Sequence, residues 1–237
     1  MYVESAQLYD QLYQFKDYAV ASAELHKVVQ AYRSDARTLL DVACSTGRHV
    51  ENLQEHYDVQ GLDINPDLLE VARQRCPSVS FHEGDMMAFD LGTKFDVVTC
   101  LFSSIAYART VANLSRAIAC MARHLKPNGL FFVEPWISPE QYWTDNVVLN
   151  VADQDPKQKI AWMYVGKRDG TVVTNEINYL VGTPEGVSHL TETHQMGLFT
   201  GENYAHALES AGLEVLQSDP KGFFGNGLYV ATLKNVT

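Results

Sequence analysis

The hydrophobic pattern along the chain changes twice, and its most regular stretch begins near residue 38. From there, short apolar runs typical of buried strands alternate with stretches whose apolar residues recur every three or four positions, as in helices. The predicted strands are residues 38–43, 59–64, 79–84, 95–102 and 130–136. The predicted helices are residues 49–57, 66–75 and 110–125, with a stop at 126–129. Alternating strands and helices predict right-handed βαβ units and a parallel sheet covered on both faces.

The flanking regions have different patterns. Residues 5–33 are predicted to be helical, since their apolar positions follow a mixed spacing of three and four. Beyond residue 147 the pattern becomes strand-like, and an antiparallel β excursion is predicted at about 147–198. A helix at 201–212 and strands at 213–219 and 227–234 follow it. The sequence therefore predicts one α/β domain over residues 1–237 with N-terminal helices and a small β insertion.

Composition narrows the function classes. The formal net charge of −11 argues against nucleic-acid or anionic-membrane partners, because phosphate binding needs a basic face. No apolar run approaches the length of a membrane span, and the acidic, aromatic N-terminus is unlike a signal peptide. The four cysteines have no CxxC or zinc spacing, which predicts reduced thiols, a cytoplasmic protein and no metal site. A small-molecule substrate, including an anionic one, remains compatible with this charge.

The turn after the first strand reads "ACSTGRHV" and carries one glycine, Gly47. A dinucleotide site requires G-x-G-x-x-G and a P-loop requires a terminal Gly-Lys-Ser/Thr, so neither matches. The free N–H groups of such a strand–helix turn can accept a smaller anion, such as an amino-acid carboxylate. A ligand-free βα turn is the alternative interpretation.

Two acidic residues extend this interpretation. Asp63 ends the second strand, where a carboxylate can accept hydrogen bonds from both hydroxyls of a ribose. Asn65 is the better cap for the helix that follows, which leaves Asp63 available. Asp85 and Met86 follow the third strand and suit the amine and the flat face of an adenine, although a turn aspartate is the alternative. A carboxylate, a ribose and an adenine without phosphate together describe S-adenosylmethionine.

The ordered motifs resemble those of Rossmann-like S-adenosylmethionine-dependent methyltransferases. They are "LLDVACSTGRH", Asp63, "GDM", "FDVVTCLFSSIAY" and "LKPNGLFFVEPW", within about residues 37–137. The resemblance implies a seven-stranded methyltransferase sheet. It also implies that the cofactor is held by Tyr13, Ala43, Cys44, Gly47, Asp63, Ile64, Asp85, Met86, Leu101 and Phe102.

Segments outside this region are similar to one branch, the N,N-dimethyltransferases of nucleotide-linked aminosugars. They are "YDQLYQFKDY", "LFSSIAY", "VEPW", "HQMGLFTGENYAHALESAGLEV" and "GLYV". This similarity implies N-methylation of a small, aminosugar-like molecule and a β excursion that covers the active site and forms a homodimer. Three positions depart from the branch. Ser45 replaces a glycine and Arg48 replaces a threonine. Asn226 replaces the arginine of the Gly-Arg-Gly that the branch has at residues 225–227.

These departures have physical consequences. A β-carbon on Ser45 disfavours a positive φ and predicts strain in the turn. Asn226 cannot supply the charge that an arginine offers to a diphosphate, which argues against a nucleotide-sugar substrate unless Arg48 or Lys221 compensates.

The candidate catalytic residues follow from the chemistry of methyl transfer. The methyl group is already activated, so placement of a neutral amine dominates, and a protonated amine must first lose a proton. The candidates are His194 as the base, Glu134 as the ligand of a cationic amine and Tyr13 as a lid over the cofactor. The predicted substrate-binding residues are Trp136, Ser104, Tyr107 and Asn226. A structural role is the alternative for each candidate, and His49 is expected to face outward or to contact the cofactor carboxylate.

Two rival functions remain open at this stage. O-methylation of a hydroxylated acceptor would require a base, for which His194 is the candidate. A non-catalytic protein that binds an adenosyl ligand or acts as a scaffold is the other, and Ser45 in the turn is its main support.

Overall fold

The computed structural model describes residues 5–144 and 146–234, which form helices around a seven-stranded sheet and a second, four-stranded sheet. After a 3-10 helix at Ala6–Leu8, the helices are α1 (Tyr9–Leu12), α2 (Tyr18–Tyr32), α3 (Arg48–Leu53), α4 (Pro66–Arg75), α5 (Val111–Ala122) and α6 (Gly201–Ser210). A further 3-10 helix spans Ser104–Ala108. The strands of the large sheet are β1 (Thr38–Val42), β2 (Asp58–Asp63), β3 (Ser80–Glu83), β4 (Phe95–Cys100), β5 (Leu125–Val133), β10 (Leu213–Asp219) and β11 (Leu228–Leu233).

The large sheet has the strand order β10-β11-β5-β4-β1-β2-β3. Strand β11 is antiparallel to both of its neighbours, and the other adjacent strands are parallel. The order reverses between β1 and β4, so a ligand crevice is expected beyond the carboxyl ends of these two strands. The predicted α/β sheet is therefore confirmed, with seven strands.

Both faces of this sheet are buried, as the apolar strands predicted. Leu39 and Val97 pack in one core cluster with residues of α2, α3 and α4. Leu40 and Val98 pack in the other cluster with residues of α5 and α6. These four side chains have no exposed surface. Successive residues of a strand point to opposite faces, so each central strand contributes to both cores.

The second sheet is antiparallel, with strands β6 (Val147–Ala152), β7 (Lys159–Asp169), β8 (Val172–Thr183) and β9 (Gly186–Gly197) in sequential order. Its inner face buries Ile160, Trp162 and Tyr179 against Leu12 of α1. The predicted β excursion is confirmed. No helix among the described residues is long and apolar enough to cross a membrane.

The predicted N-terminal helices are present as α1 and α2, and Asp17 starts α2 by accepting a hydrogen bond from the N–H of Val20 at 2.9 Å. One boundary was predicted wrongly. The predicted stop at 126–129 lies within β5, which already pairs with β4 at Leu125. At this position the pairing of β5 with β4 outweighs the local stop signal.

Candidate active site

A cavity of about 290 Å³ lies between the crevice of the large sheet and the inner face of the second sheet. Its walls come from α1, the turns after β1, β2 and β4, and strands β6 to β9. Predicted site residues that line it are Tyr13, Ala43, Asp63, Ile64, Met86, Phe102, Ser104, Tyr107, Trp136, His194 and Asn226. Most residues selected from the sequence therefore face one common space.

Alternate residues in the turn after β1 have a positive φ, in the left-handed region. Ala43, Ser45 and Gly47 have φ values of 60°, 52° and 76°. A β-carbon at Gly47 would approach Cβ of Ala72 to 3.2 Å, so this glycine both caps α3 and permits close packing on α4. The predicted strain at Ser45 is present, since the left-handed conformation costs a residue with a β-carbon about 1 to 2 kcal/mol.

Asp63 joins two turns at the cavity wall. One carboxylate oxygen accepts the N–H of Ser45 and the other accepts the N–H of Asn65, both at 2.9 Å. Asn65 caps α4 as predicted, accepting from the N–H groups of Asp67 and Leu68. Asp63 is thus not as free as the sequence suggested, but it is buried, faces the cavity and retains lone pairs for ribose hydroxyls. Burial raises the pKa of this carboxyl group, and the backbone N–H groups oppose that effect.

The expected adenine end opens into a second cavity of about 340 Å³. Asp85 and Met86 line it, and Asp85 accepts the N–H of Met87 at 2.8 Å. Ile64 and Met86 line both cavities, so the ribose end and the adenine end are adjacent.

A small side cavity of about 20 Å³ extends behind the turn, and Cys44 and Leu101 face it instead of the main cavity. His49 also lines it and is buried, so the expectation that His49 faces outward is wrong. Burial is the main cause that lowers the pKa of His49 to about 3, and the charges of Lys16 and Arg48 act in the same direction. The ring is therefore neutral. Gly47 lines none of these three cavities, and its contribution is the turn itself.

Polar groups line the side cavity, and some of them have no hydrogen-bond partner within the described part of the chain. Among the described residues, Nε2 of His49 and Oη of Tyr18 are buried without a hydrogen bond. Asp41 lines the same cavity, and burial raises its pKa to about 7 despite a hydrogen bond from Thr99. Such groups fit the ammonium and carboxylate of the amino-acid end of S-adenosylmethionine. Tyr18 and Asp41 were not among the predicted site residues, although both stand within the quoted motifs.

Lys16 is a buried lysine that was not among the predicted site residues. It is 8% exposed, and Nζ packs on the ring of Phe102 and lies 4.2 Å from the ring centroid of Phe224. Burial lowers its pKa to about 7, and the charge of Glu134 opposes this effect. Phe102, Glu134 and Phe224 lie more than 80 residues from Lys16 in sequence, so no local pattern could have predicted the burial of Lys16.

His194 lies in a chain of hydrogen bonds at the junction of the main and second cavities. Its Nδ1 lies 2.8 Å from Oη of Tyr107, and its Nε2 lies 3.4 Å from Oε2 of Glu192. Glu192 also accepts hydrogen bonds from the side chain and the N–H of Ser5. Burial raises the pKa of Glu192, but the hydrogen bonds from His194 and Ser5 outweigh it and hold the value at about 2. Glu192 stands two residues before His194 on β9 and was not among the predicted site residues.

Glu134 occupies a different place from the one predicted. It does not line the main cavity, and its two oxygens accept the N–H groups of Phe102 at 2.7 Å and Phe223 at 3.0 Å. It is 1% exposed, and burial raises its pKa. The predicted contact of Glu134 with a substrate amine is therefore not found. Its carboxylate instead fixes the loops that follow β4 and β10.

The remaining predicted residues surround the acceptor side. Tyr13 meets the ring of Phe102 edge-on, with centroids 5.2 Å apart, which places it over the crevice. Asn226 donates to Oγ of Ser103 at 3.0 Å and so closes the rim of the cavity. No cluster of metal-ligating side chains occurs within the described ranges.

Comparison with known proteins places this geometry in a family. A model described as "Methyltransferase domain" matches residues 39–129. An enzyme of Streptomyces fradiae, dTDP-3-amino-3,6-dideoxy-alpha-D-glucopyranose N,N-dimethyltransferase, is 38% identical, covering 95% of this chain and 89% of its own length. A Streptomyces venezuelae relative, dTDP-3-amino-3,4,6-trideoxy-alpha-D-glucopyranose N,N-dimethyltransferase, is 37% identical, covering 96% and 97% of the two chains.

Solved structures agree. The crystal structure of DesVI from Streptomyces venezuelae has a TM-score of 0.91 at 35% identity, covering 98% of this chain and 99% of its own. An S-adenosylmethionine-bound amino pentose methyltransferase from Micromonospora echinaspora has a TM-score of 0.87, also at 35% identity, covering 96% and 97%. These relatives are enzymes, so the scaffold hypothesis is not upheld. The chain belongs to the S-adenosylmethionine-dependent methyltransferases, in the branch that includes the aminosugar N,N-dimethyltransferases.

Proposed function

We propose that this enzyme transfers the methyl group of S-adenosylmethionine to the amine of an aminosugar-like small molecule. The observation that carries the proposal is the junction of the cofactor crevice with the aromatic part of the main cavity. At this junction Oη of Tyr107 lies within hydrogen-bond distance of Nδ1 of His194. The named aminosugar substrates of the relatives support the same acceptor class.

Bound S-adenosylmethionine supplies a methyl group already activated by its sulfonium. The residues of the chain position the reactants. Asp63 and Asp85 would hold the ribose and adenine ends, while Tyr18, Asp41 and His49 would hold the amino-acid end. Tyr13 and Phe102 cover the crevice and exclude water from the reacting atoms. In-line approach of an amine to the methyl carbon then requires mainly correct placement.

Proton removal falls to the chain of Tyr107, His194 and Glu192. An ammonium in the main cavity transfers a proton to Oη of Tyr107, while the hydroxyl proton of Tyr107 moves to Nδ1 of His194. The resulting imidazolium faces Glu192, whose pKa of about 2 keeps it ionised and able to stabilise that charge. The neutral amine is then ready to attack.

O-methylation by the same His194 base is the second candidate, because the hydrogen-bond chain would also serve a hydroxyl group. Activity across pH separates the two, using His194→Ala and, as a matched control, His189→Ala on the same strand. For N-transfer, the His194→Ala enzyme should be slow at neutral pH and recover at a pH where the amine is already neutral. O-transfer would show no such recovery, and an unaffected His194→Ala enzyme would remove His194 from the mechanism.

We further propose that the enzyme acts as a cytoplasmic homodimer. The outer face of the second sheet exposes apolar side chains, with Val147, Leu149 and Val151 each about 60% exposed. Monomers rarely leave such a patch uncovered, and a second copy related by a two-fold axis would bury it. The four described cysteines are free and buried, which suits a reducing compartment. Light scattering of the purified enzyme tests the assembly.

A further inference from the structure

Arg48 is a half-buried arginine beside the small side cavity. It is the first residue of α3, and its Cζ lies 5.2 Å from the ring centroid of Tyr18. No carboxylate of the described residues lies within ion-pair distance of its guanidinium. A guanidinium presents five N–H donors in a planar fork and binds carboxylates more strongly than neutral acceptors. Arg48 is therefore suited to binding an anionic ligand in this cavity.

Two neutral donors face the same cavity. Oη of Tyr18 and Nε2 of His49 have no hydrogen-bond partner among the described residues, and each of these side chains is only 6% exposed. Nδ1 of His49 lies 3.1 Å from Oγ of Ser22, and when this hydroxyl donates to Nδ1, Nε2 carries the ring hydrogen. Because buried polar groups are nearly always paired, these two atoms indicate that a ligand completes the site.

The charges along the cavity match those of an amino acid. Its described lining contains one arginine, Arg48, one carboxylate, Asp41, and no lysine. An amino acid carries one carboxylate and one ammonium, so each of its charges finds a partner of opposite sign. The side cavity adjoins the main cavity, and the residues that line both include Ala43, Ser45 and Phe102.

We propose that Arg48 binds the carboxylate of the methionine moiety of S-adenosylmethionine, together with Nε2 of His49 and Oη of Tyr18. Asp41 faces the ammonium of the same moiety. This inference rests on the cofactor of the proposed function. Arg48 stands where the aminosugar branch has a threonine, which cannot supply a charge, so the contact distinguishes this chain within the branch.

The position of Arg48 also bears on an acceptor diphosphate. Arg48 lines the side cavity and not the main cavity, so its charge lies on the cofactor side. Lys221 is exposed in the loop that carries Asn226, and its carbonyl oxygen accepts the N–H of Gly227 at 3.2 Å. Of the two cations considered from the sequence for a diphosphate, Lys221 therefore remains.

Calorimetry with two ligands tests the role of Arg48. One ligand is S-adenosylhomocysteine, and the other is its decarboxylated analogue, in which an aminopropyl group replaces the amino-acid end. Arg48→Met should weaken binding of S-adenosylhomocysteine by about 10- to 100-fold, because hydrogen bonds to a charged group are lost, and should change binding of the analogue by less than about threefold. Arg48→Lys retains the charge without the planar fork, so its affinity for S-adenosylhomocysteine should lie between those of Arg48→Met and wild type.

Arg116→Met, at an exposed arginine of α5, is the matched control and should change neither affinity. Circular dichroism confirms that each variant is folded. An equal loss of affinity for both ligands would show that Arg48 supports the turn and not the carboxylate, and unchanged affinity for S-adenosylhomocysteine would place the carboxylate elsewhere. Either result would overturn the inference while leaving the proposed methyl transfer intact. A wild-type enzyme that binds neither ligand would contradict the proposed function itself.

Discussion

Replacing Lys16 with methionine tests the burial of this lysine quantitatively. Methionine has a similar length and no charge, so Lys16→Met retains the packing on Phe102 and Phe224 and removes the ammonium. Burial lowers the lysine pKa from 10.5 to about 7, and each pH unit corresponds to about 1.4 kcal/mol. A charged Lys16 therefore lowers the stability of the folded enzyme by up to about 5 kcal/mol.

The sign of the pH dependence follows from proton binding. Between pH 7 and pH 10.5 the unfolded chain binds more protons at Lys16 than the folded chain does, so the contribution of Lys16 to wild-type stability rises with pH. The stability advantage of Lys16→Met should accordingly be largest at and below pH 7 and should shrink by about 4 kcal/mol between pH 7 and pH 10.5. Effects of groups whose pKa does not depend on Lys16, such as Asp41, cancel in the difference between the two proteins.

Urea unfolding at a series of pH values measures this difference. Lys94→Met, at an exposed lysine, is the matched control and should show no such trend. A difference between Lys16→Met and wild type that does not change with pH would refute the proposed burial of the charge.

Three further predictions concern the cofactor turn and the outer sheet. Asp63→Asn should weaken binding of S-adenosylhomocysteine by about 10- to 100-fold in calorimetry, since hydrogen bonds to charged groups contribute about 1.5 to 3 kcal/mol; Asp67→Asn, on exposed helix surface, should not. Ser45→Gly should raise the melting temperature by about 1 to 4 °C, because it relieves left-handed strain at a small entropic cost, whereas Ser210→Gly at a helix end should lower it. Leu149→Asp should convert a dimer to a monomer in light scattering, and an unchanged mass would place the interface elsewhere.

Much of the fold was predictable because its signals are local. The apolar runs of β1 and β4 and the cap formed by Asn65 depend on neighbouring residues, and the structure has them in place. The same holds for Gly47, whose positive φ follows from the strand–helix turn. Asp63 ends β2 as predicted, although its hydrogen bond from the N–H of Ser45 was not anticipated.

The rest of the site depends on contacts between distant parts of the chain. Glu192 is fixed by Ser5, which is 187 residues away in sequence, and no periodicity relates the two. Glu134 follows a strand that ends at the crevice, and only the positions of the loops at Phe102 and Phe223 show that its oxygens hold backbone. The burial of Lys16 likewise requires Phe224 from the far end of the chain.

The most direct test of methyl transfer to an amine uses S-adenosylmethionine with a deuterated methyl group and an aminosugar acceptor. After incubation with the enzyme, mass spectrometry and NMR locate the label in the product. The expected product carries a deuterated methyl group on the sugar nitrogen. Label on an oxygen, or an acceptor that remains unlabelled while the cofactor binds, would contradict it.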